Sequence, residues 1–237
     1  VRGAVRREAP NSPPVQRIRW DLRHTTTSEP LHLLPLERMY DLPLPKSKLL
    51  TPYPSERFDG AIEFGGERWD VAGWPGMQGH NWGRQHAEHY AWVHCNRFEG
   101  APDAVFEGFS ARVKLGPVTT PFISAAVVRA GGATYDFRGP RALFSRAVRV
   151  TPTSWSFSAG CGDRAIRVSA SCRPEEMAGL HYPNPDGEMT YCLNTKIGDL
   201  DVTIRDRSGV VLALECRGAG ALEVATKDPG HGIDMLL

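Results

Sequence analysis

The residues best suited to chemistry are concentrated in one stretch, residues 73–100, which reads GWPGMQGHNWGRQHAEHYAWVHCNRFEG. It holds four of the eight histidines and three of the six tryptophans of the chain. Large aromatic rings supply an apolar wall, while indole and imidazole nitrogens supply directional polar contacts, and ligand pockets typically combine the two. We therefore interpret this stretch as a candidate binding site. The structural alternative is a tight turn at Gly79–Gly83 with the tryptophans in the core.

Three kinds of site fit these residues. A metal site is disfavoured because His86 and His89 do not form H-E-x-x-H and no H-x-H pair occurs, so we assign no metal ligands. Acid–base catalysis fits because imidazole titrates near neutral pH. The predicted catalytic residues are His80 and His94, with Asn81 orienting them. The third alternative is ligand capture without catalysis.

Alternation along the predicted strand beginning at Tyr90 separates two kinds of side chain. Tyr90, Trp92 and His94 share one face, whereas Ala91 and Val93 lie on the other. Alternation alone leaves open which face a ligand contacts. The residues predicted to bind the ligand are Trp74, Met77, Gln78, Trp82, Tyr90, Trp92, Phe106, Tyr191 and Asn194.

Several classes of protein are disfavoured by composition and motifs. The sequence contains neither a G-x-S-x-G elbow nor a P-loop motif. Lys and Arg number 28 against 27 Asp and Glu, so we expect no nucleic-acid partner. The chain has no apolar run of about 18 residues, so we expect no membrane span. The five cysteines form no C-x-x-C pair, which disfavours a zinc knuckle or a disulfide framework.

The elements that would position the site are predicted to be strands. The 24 glycines and 19 prolines are typical of short strands joined by turns. Beyond residue 56 the strand patterns are evenly spaced, with hairpin turns at Gly65-Gly66 and Gly131-Gly132 because glycine accepts positive φ. Short helices are predicted only near Leu36–Tyr40 and Pro174–Gly179. We predict an all-β, antiparallel β-barrel, because closure removes exposed strand edges.

The sequence predicts three regions. Residues 1–16 form a disordered lead-in, 17–56 a strand and a Pro-rich connector, and 57–237 the barrel domain. The connector is expected to pack Leu33, Leu36, Tyr40 and Leu44 onto a neighbouring element. Its basic residues 45–48 are interpreted as a solvated loop. The start of the sequence has no apolar signal segment, so we expect a cytoplasmic protein, with homo-oligomer formation left open.

A series of short motifs carries a resemblance to a known superfamily. In chain order they are Trp20-Asp21-Leu22, a Pro-rich connector with Lys46 and Lys48, Phe58-x-Gly60, Gly65-Gly66, Gly79-His80-Asn81-Trp82-Gly83 and Trp92-Val93-His94. This order resembles the two-domain lipocalin-like superfamily, over residues 17 to about 226. That superfamily contains AttH-like proteins, carotenoid 1,2-hydratase (hydroxyneurosporene synthase), tocopherol cyclase and fungal Diels–Alderase-type pericyclases.

The resemblance implies a fold and a chemistry. The fold is a pair of lipocalin-like barrels, and the ligand is a hydrophobic polyene, prenyl or polyketide molecule. Members act without a metal or organic cofactor, by proton donation to a double bond or by shaping the substrate. Full-length members are longer, so residues 17–56 are expected to be the remnant of a first barrel. Gly79 stands where the hydratases carry an acidic residue before His80, which disfavours a carotenoid hydratase.

These observations together predict a protein that binds a hydrophobic small molecule. It is expected to isomerise, hydrate or cyclise that molecule by cofactor-free acid–base chemistry. The alternative is a non-catalytic carrier of a lipophilic ligand, and the sequence leaves the presence of catalysis open.

Overall fold

The computed structural model describes residues 2–6, 17–26, 28–43, 45–145 and 147–236. Residues 7–16 of the predicted lead-in and Leu44 of the predicted connector lie outside the described residues. The described part divides into two compact units. One comprises Val1–Pro30 with Thr51–Gly79, and the other comprises Leu31–Leu50 with His80–Leu237.

The first unit contains most of a five-stranded sheet made of β1 (Arg2–Arg6), β2 (Arg17–Thr26), β3 (Leu31–His32), β4 (Ser47–Phe64) and β5 (Glu67–Gly83). Strands β1, β2 and β4 pair in that order, and β3 and β5 each pair with β4. All of β3 and parts of β4 and β5 belong to the second unit. The hairpin predicted at Gly65 and Gly66 is present, with φ of +61° and +87°. These angles require glycine because a β-carbon disfavours them.

Two elements of this unit differ from the sequence-based expectation. Residues 2–6 of the predicted disordered lead-in form β1, because backbone groups alone suffice to pair with β2. Pro52 and Pro54 lie within the long strand β4 rather than in an irregular connector. Proline is tolerated there because the pairing of β4 with β2 ends at Glu56, so neither proline interrupts that ladder.

The second unit is a ten-stranded antiparallel sheet with short helical turns. Its segments are β3 (Leu31–His32), a 3-10 turn (Glu37–Tyr40), β6 (His89–Cys95), β7 (Val105–Arg112), β8 (Lys114–Leu115), β9 (Val118–Thr119), β10 (Ile123–Ala130), β11 (Ala133–Phe137), α1 (Pro140–Leu143), β12 (Val148–Thr151), β13 (Ser154–Cys161), β14 (Arg164–Ser171), a 3-10 turn (Pro174–Glu176), β15 (Ala178–Pro183), β16 (Met189–Asp206) and β17 (Gly209–Thr226). The strand order is β11-β10-β7-β6-β17-β16-β14-β13-β12, with β15 beside β16.

The sheet curls round one hydrophobic core. Trp155 of β13 is fully buried, and its indole nitrogen donates a hydrogen bond to Oγ of Ser110 on β7 over 2.9 Å. These strands are far apart in the sheet order, so the bond joins opposite sides of the barrel. Alternating residues of β14, Ile166 and Val168, point into the same core. The predicted all-β, lipocalin-like barrel is thus confirmed.

The two faces of β6 have different surroundings. Ala91 and Val93 are fully buried in the barrel core. Tyr90 and Trp92 lie on the opposite, outer face, which resolves the ambiguity left by the sequence. Residues 31–50, which we name the cover segment, pack on this outer face. Its members Leu31 and Leu33 form a second apolar cluster with Val105 and Val127 of β7 and β10.

The last strands are longer than the sequence pattern predicts. Both β16 and β17 span 18 residues, and each contains a break in its alternating pattern. The break in pattern is a bulge, because register shifts flank the Gly198–Gly220 pair. A β-carbon built on Gly220 would lie 3.0 Å from the Gly198 carbonyl oxygen, so close strand contact accounts for the glycine. Residues 178–183 form β15, which pairs with β16.

Candidate functional site

A cavity of about 650 Å³ lies within the second unit, between the cover segment and the outer face of the barrel sheet. This volume falls in the range that holds small-molecule ligands. Its apolar wall includes Leu34, Leu49, Trp82, Trp92, Phe109 and Ile123. The cavity therefore forms outside the packed barrel core, on the face that carries the aromatic residues of β6.

A carboxylate lies in this apolar wall. The Glu223 side chain of β17 lines the cavity, and both of its oxygens are engaged. The Tyr90 hydroxyl donates to Oε1 over 2.5 Å, and the Asn194 amide donates to Oε2 over 2.7 Å. Cross-strand pairing brings these groups together, because Glu223 lies directly opposite Trp92 on β6 and Asn194 on β16.

The donors around Glu223 suit an ionised carboxylate. Burial, followed by the nearby Glu223 charge, raises the pKa of Tyr90 well above its usual value. Tyr90 therefore stays protonated and remains a donor at any physiological pH. An ionised carboxylate has only acceptor sites, and its two oxygens hold more lone pairs than these two donors use. The remaining acceptor capacity is available for a ligand group in the cavity.

A second carboxylate fixes the orientation of Trp92. The Trp92 indole nitrogen donates to Oε1 of Glu107 over 2.9 Å. Glu107 is fully buried and faces His94 across β6 and β7, where Nδ1 of His94 lies 3.8 Å from its Oε2. His94 also stacks behind Trp92, with ring centroids 6.0 Å apart and planes inclined by 12°. The buried pair of His94 and Glu107 thus lies behind Trp92, which forms part of the aromatic wall of the cavity.

The cover segment is tied down by one tyrosine and one arginine. The Tyr40 hydroxyl accepts from the Leu34 amide over 3.2 Å and donates to the Leu49 carbonyl over 3.0 Å, which closes the segment on itself. Burial is the main cause that raises the pKa of Tyr40, so the Tyr40 hydroxyl stays protonated and remains a hydrogen-bond donor. Arg138 donates to the His32 carbonyl over 2.6 Å and links the segment to the end of β11.

The Gly79–Gly83 block, predicted as a special motif, meets the cover segment at Gly83. A β-carbon on Gly83 would lie 2.2 Å from the Lys46 carbonyl oxygen, and its φ is +155°. The next amide, of Arg84, donates to that same carbonyl over 3.0 Å. Trp82 stacks with two rings, whose centroids lie 5.0 Å (His80) and 5.9 Å (Tyr40) from its own. The motif therefore fixes an aromatic side chain against the cover segment.

The far rim of the cavity is formed by two loops that hold each other. The Asn184 side chain accepts a hydrogen bond from the His86 amide over 3.2 Å and donates to Oγ1 of Thr190 over 2.9 Å. Gln85 donates to the Asp186 carboxylate over 2.9 Å. The His86–Asn184 and Gln85–Asp186 bonds join residues about 100 positions apart in the chain. They therefore fix the two loops of the rim relative to each other.

The predicted site residues divide between the cavity and other places. Asn81, Trp82, Tyr90 and Trp92 line the cavity, and Asn194 reaches it through its bond to Glu223. His94 is only 3% exposed and lies behind the wall rather than in it. His80 is exposed and stacks with Trp82, but it does not line the cavity.

The other predicted ligand-binding residues lie elsewhere. Phe106 faces the barrel core near Trp155, because strand alternation puts it opposite to Glu107. Tyr191 also faces the core side, between the rings of His181 and His231. Trp74, Met77 and Gln78 belong to the first unit.

None of the five charged residues that line the cavity was predicted, and two of them, Glu223 and Lys48, are shielded from solvent. Glu223 had only a weak sequence signal, namely an acidic residue between the core positions Leu222 and Val224. Lys48 was assigned to a solvated loop, but the structure corrects this, because Lys48 is buried and lines the cavity. A connector without regular alternation gives no sequence signal for burial.

Within the described ranges, no group of three or more His, Cys, Asp or Glu side chains is arranged to hold a metal ion. None of the helices in the described part of the chain has the length and apolar character needed to cross a membrane.

Comparison with known proteins places the chain in a family. Residues 55–226 match the family described as tocopherol cyclase-like. The fold is similar to kievitone hydratase from Nectria haematococca, with 12% identity, a TM-score of 0.43, and coverage of 95% of this chain and 66% of that chain. A protein provisionally named AttH from Nitrosomonas europaea gives 14% identity, a TM-score of 0.42, and coverage of 94% and 64%. The chain thus spans about two thirds of the length of these two proteins. The match over residues 55–226 shows that the chain belongs to the tocopherol cyclase-like family.

Proposed function

We propose that the protein binds a hydrophobic small molecule in the cavity of the second unit and transforms it by cofactor-free acid–base chemistry. The ligand class is an isoprenoid, polyene or polyketide, as the resemblance to the lipocalin-like superfamily implies. The observation that carries the proposal is a cavity of about 650 Å³ with an aromatic and aliphatic wall that contains Glu223. Membership of the tocopherol cyclase-like family supports the same class of chemistry.

Glu223 is the proposed proton acceptor. It lines the cavity, and Tyr90 and Asn194 hold it in one orientation, so its free lone pairs have a fixed direction. It would take a proton from a ligand hydroxyl, an acidic C–H group or an attacking water molecule. Return of that proton to another atom completes an isomerisation, a cyclisation or a hydration. The ring faces of Trp82 and Trp92 stabilise positive charge that develops on the ligand.

The residues first predicted as catalytic take different roles in this proposal. Asn81 lines the cavity and orients a polar group of the ligand. His94 acts through Glu107 and Trp92 and is therefore a positioning residue. His80 supports Trp82 from outside the cavity.

The test is turnover of a ligand recovered from the host extract. The purified ligand is incubated with the wild type, with Glu223→Gln, and with Glu215→Gln, which changes an exposed carboxylate on the same strand. We expect the wild type and Glu215→Gln to form product. Glu223→Gln should retain binding but lose turnover by about 10²-fold or more, since general base catalysis contributes about that much.

Two other results would contradict parts of this proposal. Equal turnover by Glu223→Gln and the wild type would contradict the role of Glu223. A ligand recovered unchanged from the wild type, with tight binding, would instead support the non-catalytic carrier.

A further inference from the structure

A buried lysine in the cover segment has unused hydrogen-bonding capacity. Lys48 is 9% exposed and lines the cavity. Its ammonium donates to the Pro45 carbonyl over 3.2 Å. An ammonium group carries three N–H donors, and burial of a charged group is costly unless its donors are satisfied. The charge at this position therefore requires an explanation.

The acidic residue in the cavity does not neutralise this charge. No described Asp or Glu side chain forms an ion pair with Lys48, and Glu223 is engaged by Tyr90 and Asn194. Lys46, two residues earlier, provides a contrast. It also lines the cavity, but it is exposed and donates to the Gln85 side chain over 3.2 Å. Lys48 thus differs from a solvated lysine in both burial and partners.

The positions of the two charges indicate how a ligand would lie. Lys48 belongs to the cover segment and Glu223 to the barrel sheet. Of the charged residues that line the cavity, these two are shielded from solvent, whereas Lys46, Arg84 and Lys114 are exposed. An anionic group is repelled by Glu223 and attracted by Lys48. A carboxylate near Lys48 satisfies the remaining donors with charge-assisted hydrogen bonds.

We propose that Lys48 anchors the carboxylate of an otherwise hydrophobic ligand, so that the cavity selects lipophilic carboxylic acids over their neutral counterparts. This inference rests on the proposed function, because it concerns the same cavity. It adds the chemical class of the ligand's polar end. The hydrocarbon part of the ligand then lies along the aromatic wall formed by Trp82 and Trp92.

The test compares a fluorescent polyene acid, cis-parinaric acid, with its methyl ester by equilibrium titration at neutral pH. The ester keeps the polyene chain but lacks the charge. We expect the wild type to bind the acid about 10- to 100-fold more tightly than the ester, the range expected for one charge-assisted hydrogen-bonded pair. Lys48→Met should reduce the affinity for the acid to that for the ester and leave the ester unchanged.

Two further variants separate charge from structure. Arg167→Met removes an exposed cation of β14 that does not line the cavity and should keep the preference for the acid. Lys48→Gln keeps a donor for the Pro45 carbonyl but removes the charge, and it should lose the preference even if Lys48→Met fails to fold. A melting curve of each variant shows which of them is folded.

The outcomes distinguish this inference from the proposed function. Equal affinity of the wild type for acid and ester would overturn the carboxylate anchor while leaving an apolar binding cavity. A preference for the acid that survives in folded Lys48→Gln would also overturn it. If neither probe binds the wild type, the cavity itself is not a binding site for such ligands, and the proposed function fails as well.

Discussion

The hydroxyl of Tyr90 donates a hydrogen bond of 2.5 Å to Oε1 of Glu223, which joins an aromatic residue of β6 to the carboxylate of the cavity. Neighbouring strands in the barrel bring the two together, although they are 133 residues apart in the sequence. Asn194 completes the arrangement from the other side of β17. The Glu223 carboxylate is therefore held by the sheet rather than by a flexible loop. This suits a group whose lone pairs must point at the proton they accept.

Tyr90→Phe removes one donor from Glu223 and keeps the ring. We expect the free energy of unfolding to fall by about 1.5–3 kcal/mol, the range for a hydrogen bond to a charged group. Urea denaturation measures this change. Tyr135→Phe is the control, because Tyr135 is a half-buried tyrosine whose ring contacts Arg164. An equal loss in both variants would contradict the special role of the Tyr90 hydroxyl.

Gly83→Ala tests the contact between the Gly79–Gly83 block and the cover segment. The new β-carbon would lie 2.2 Å from the Lys46 carbonyl oxygen and 2.7 Å from the Ser47 α-carbon, so the backbone must move. We expect a loss of about 1–3 kcal/mol in the free energy of unfolding, typical of overpacking. The dissociation constant of cis-parinaric acid should rise, because this contact shapes the cavity wall.

The control for this substitution is Gly139→Ala. A β-carbon there meets no atom within 4 Å, and φ is −70°, which any residue adopts. We expect a change within about 0.5 kcal/mol. If Gly83→Ala were as mild as Gly139→Ala, the close approach of Gly83 to Lys46 would not be a constraint on the fold.

Much of the barrel could be predicted from the sequence because its strands alternate. The buried positions of β14, such as Ile166 and Val168, follow a period of two, and Gly131-Gly132 marks a hairpin. The full length of β16 and β17 cannot be predicted in this way, because their bulge at Gly198 and Gly220 interrupts that period. The local sequence pattern does not show that the segments before and after the bulge belong to one continuous strand.

The site was only partly predictable for a related reason. Trp82 and Trp92 were found because aromatic residues are concentrated near them in the sequence. Glu223 and Lys48 come from distant segments, and only the pairing of β6 with β17 and the packing of the cover segment bring them to one cavity. Phe106 was assigned to the ligand because alternation within β7 does not reveal which face is the core.

The stability of the protein should depend on pH through His89. Burial, followed by the neighbouring Arg112 guanidinium, lowers the pKa of His89. The unfolded chain then binds a proton more readily than the folded chain, so the free energy of unfolding rises as the pH increases toward the ordinary histidine pKa of about 6.5. His89→Gln should reduce this slope. An unchanged slope in the variant would assign the pH dependence to other groups.

The five cysteines should differ in reactivity toward a thiol reagent. Cys161 is exposed, whereas Cys95, Cys192 and Cys216 are buried. Burial raises the pKa of Cys172 to about 11 and that of Cys192 to about 12, so few of these thiols ionise at pH 8. A colorimetric thiol assay of the native protein should show one fast thiol, which Cys161→Ser removes. Two or more fast thiols would contradict the packing described for the barrel.

The most direct test of the central claim is native mass spectrometry of protein isolated from its host extract. The wild type is compared with Ala111→Trp, which fills the cavity from β7 with a large side chain. We predict that the wild type carries a lipophilic molecule, released on denaturation, and that folded Ala111→Trp carries none. Equal occupancy of the two proteins, or an empty wild type that also fails to bind added cis-parinaric acid, would contradict the assignment of this cavity as the binding site.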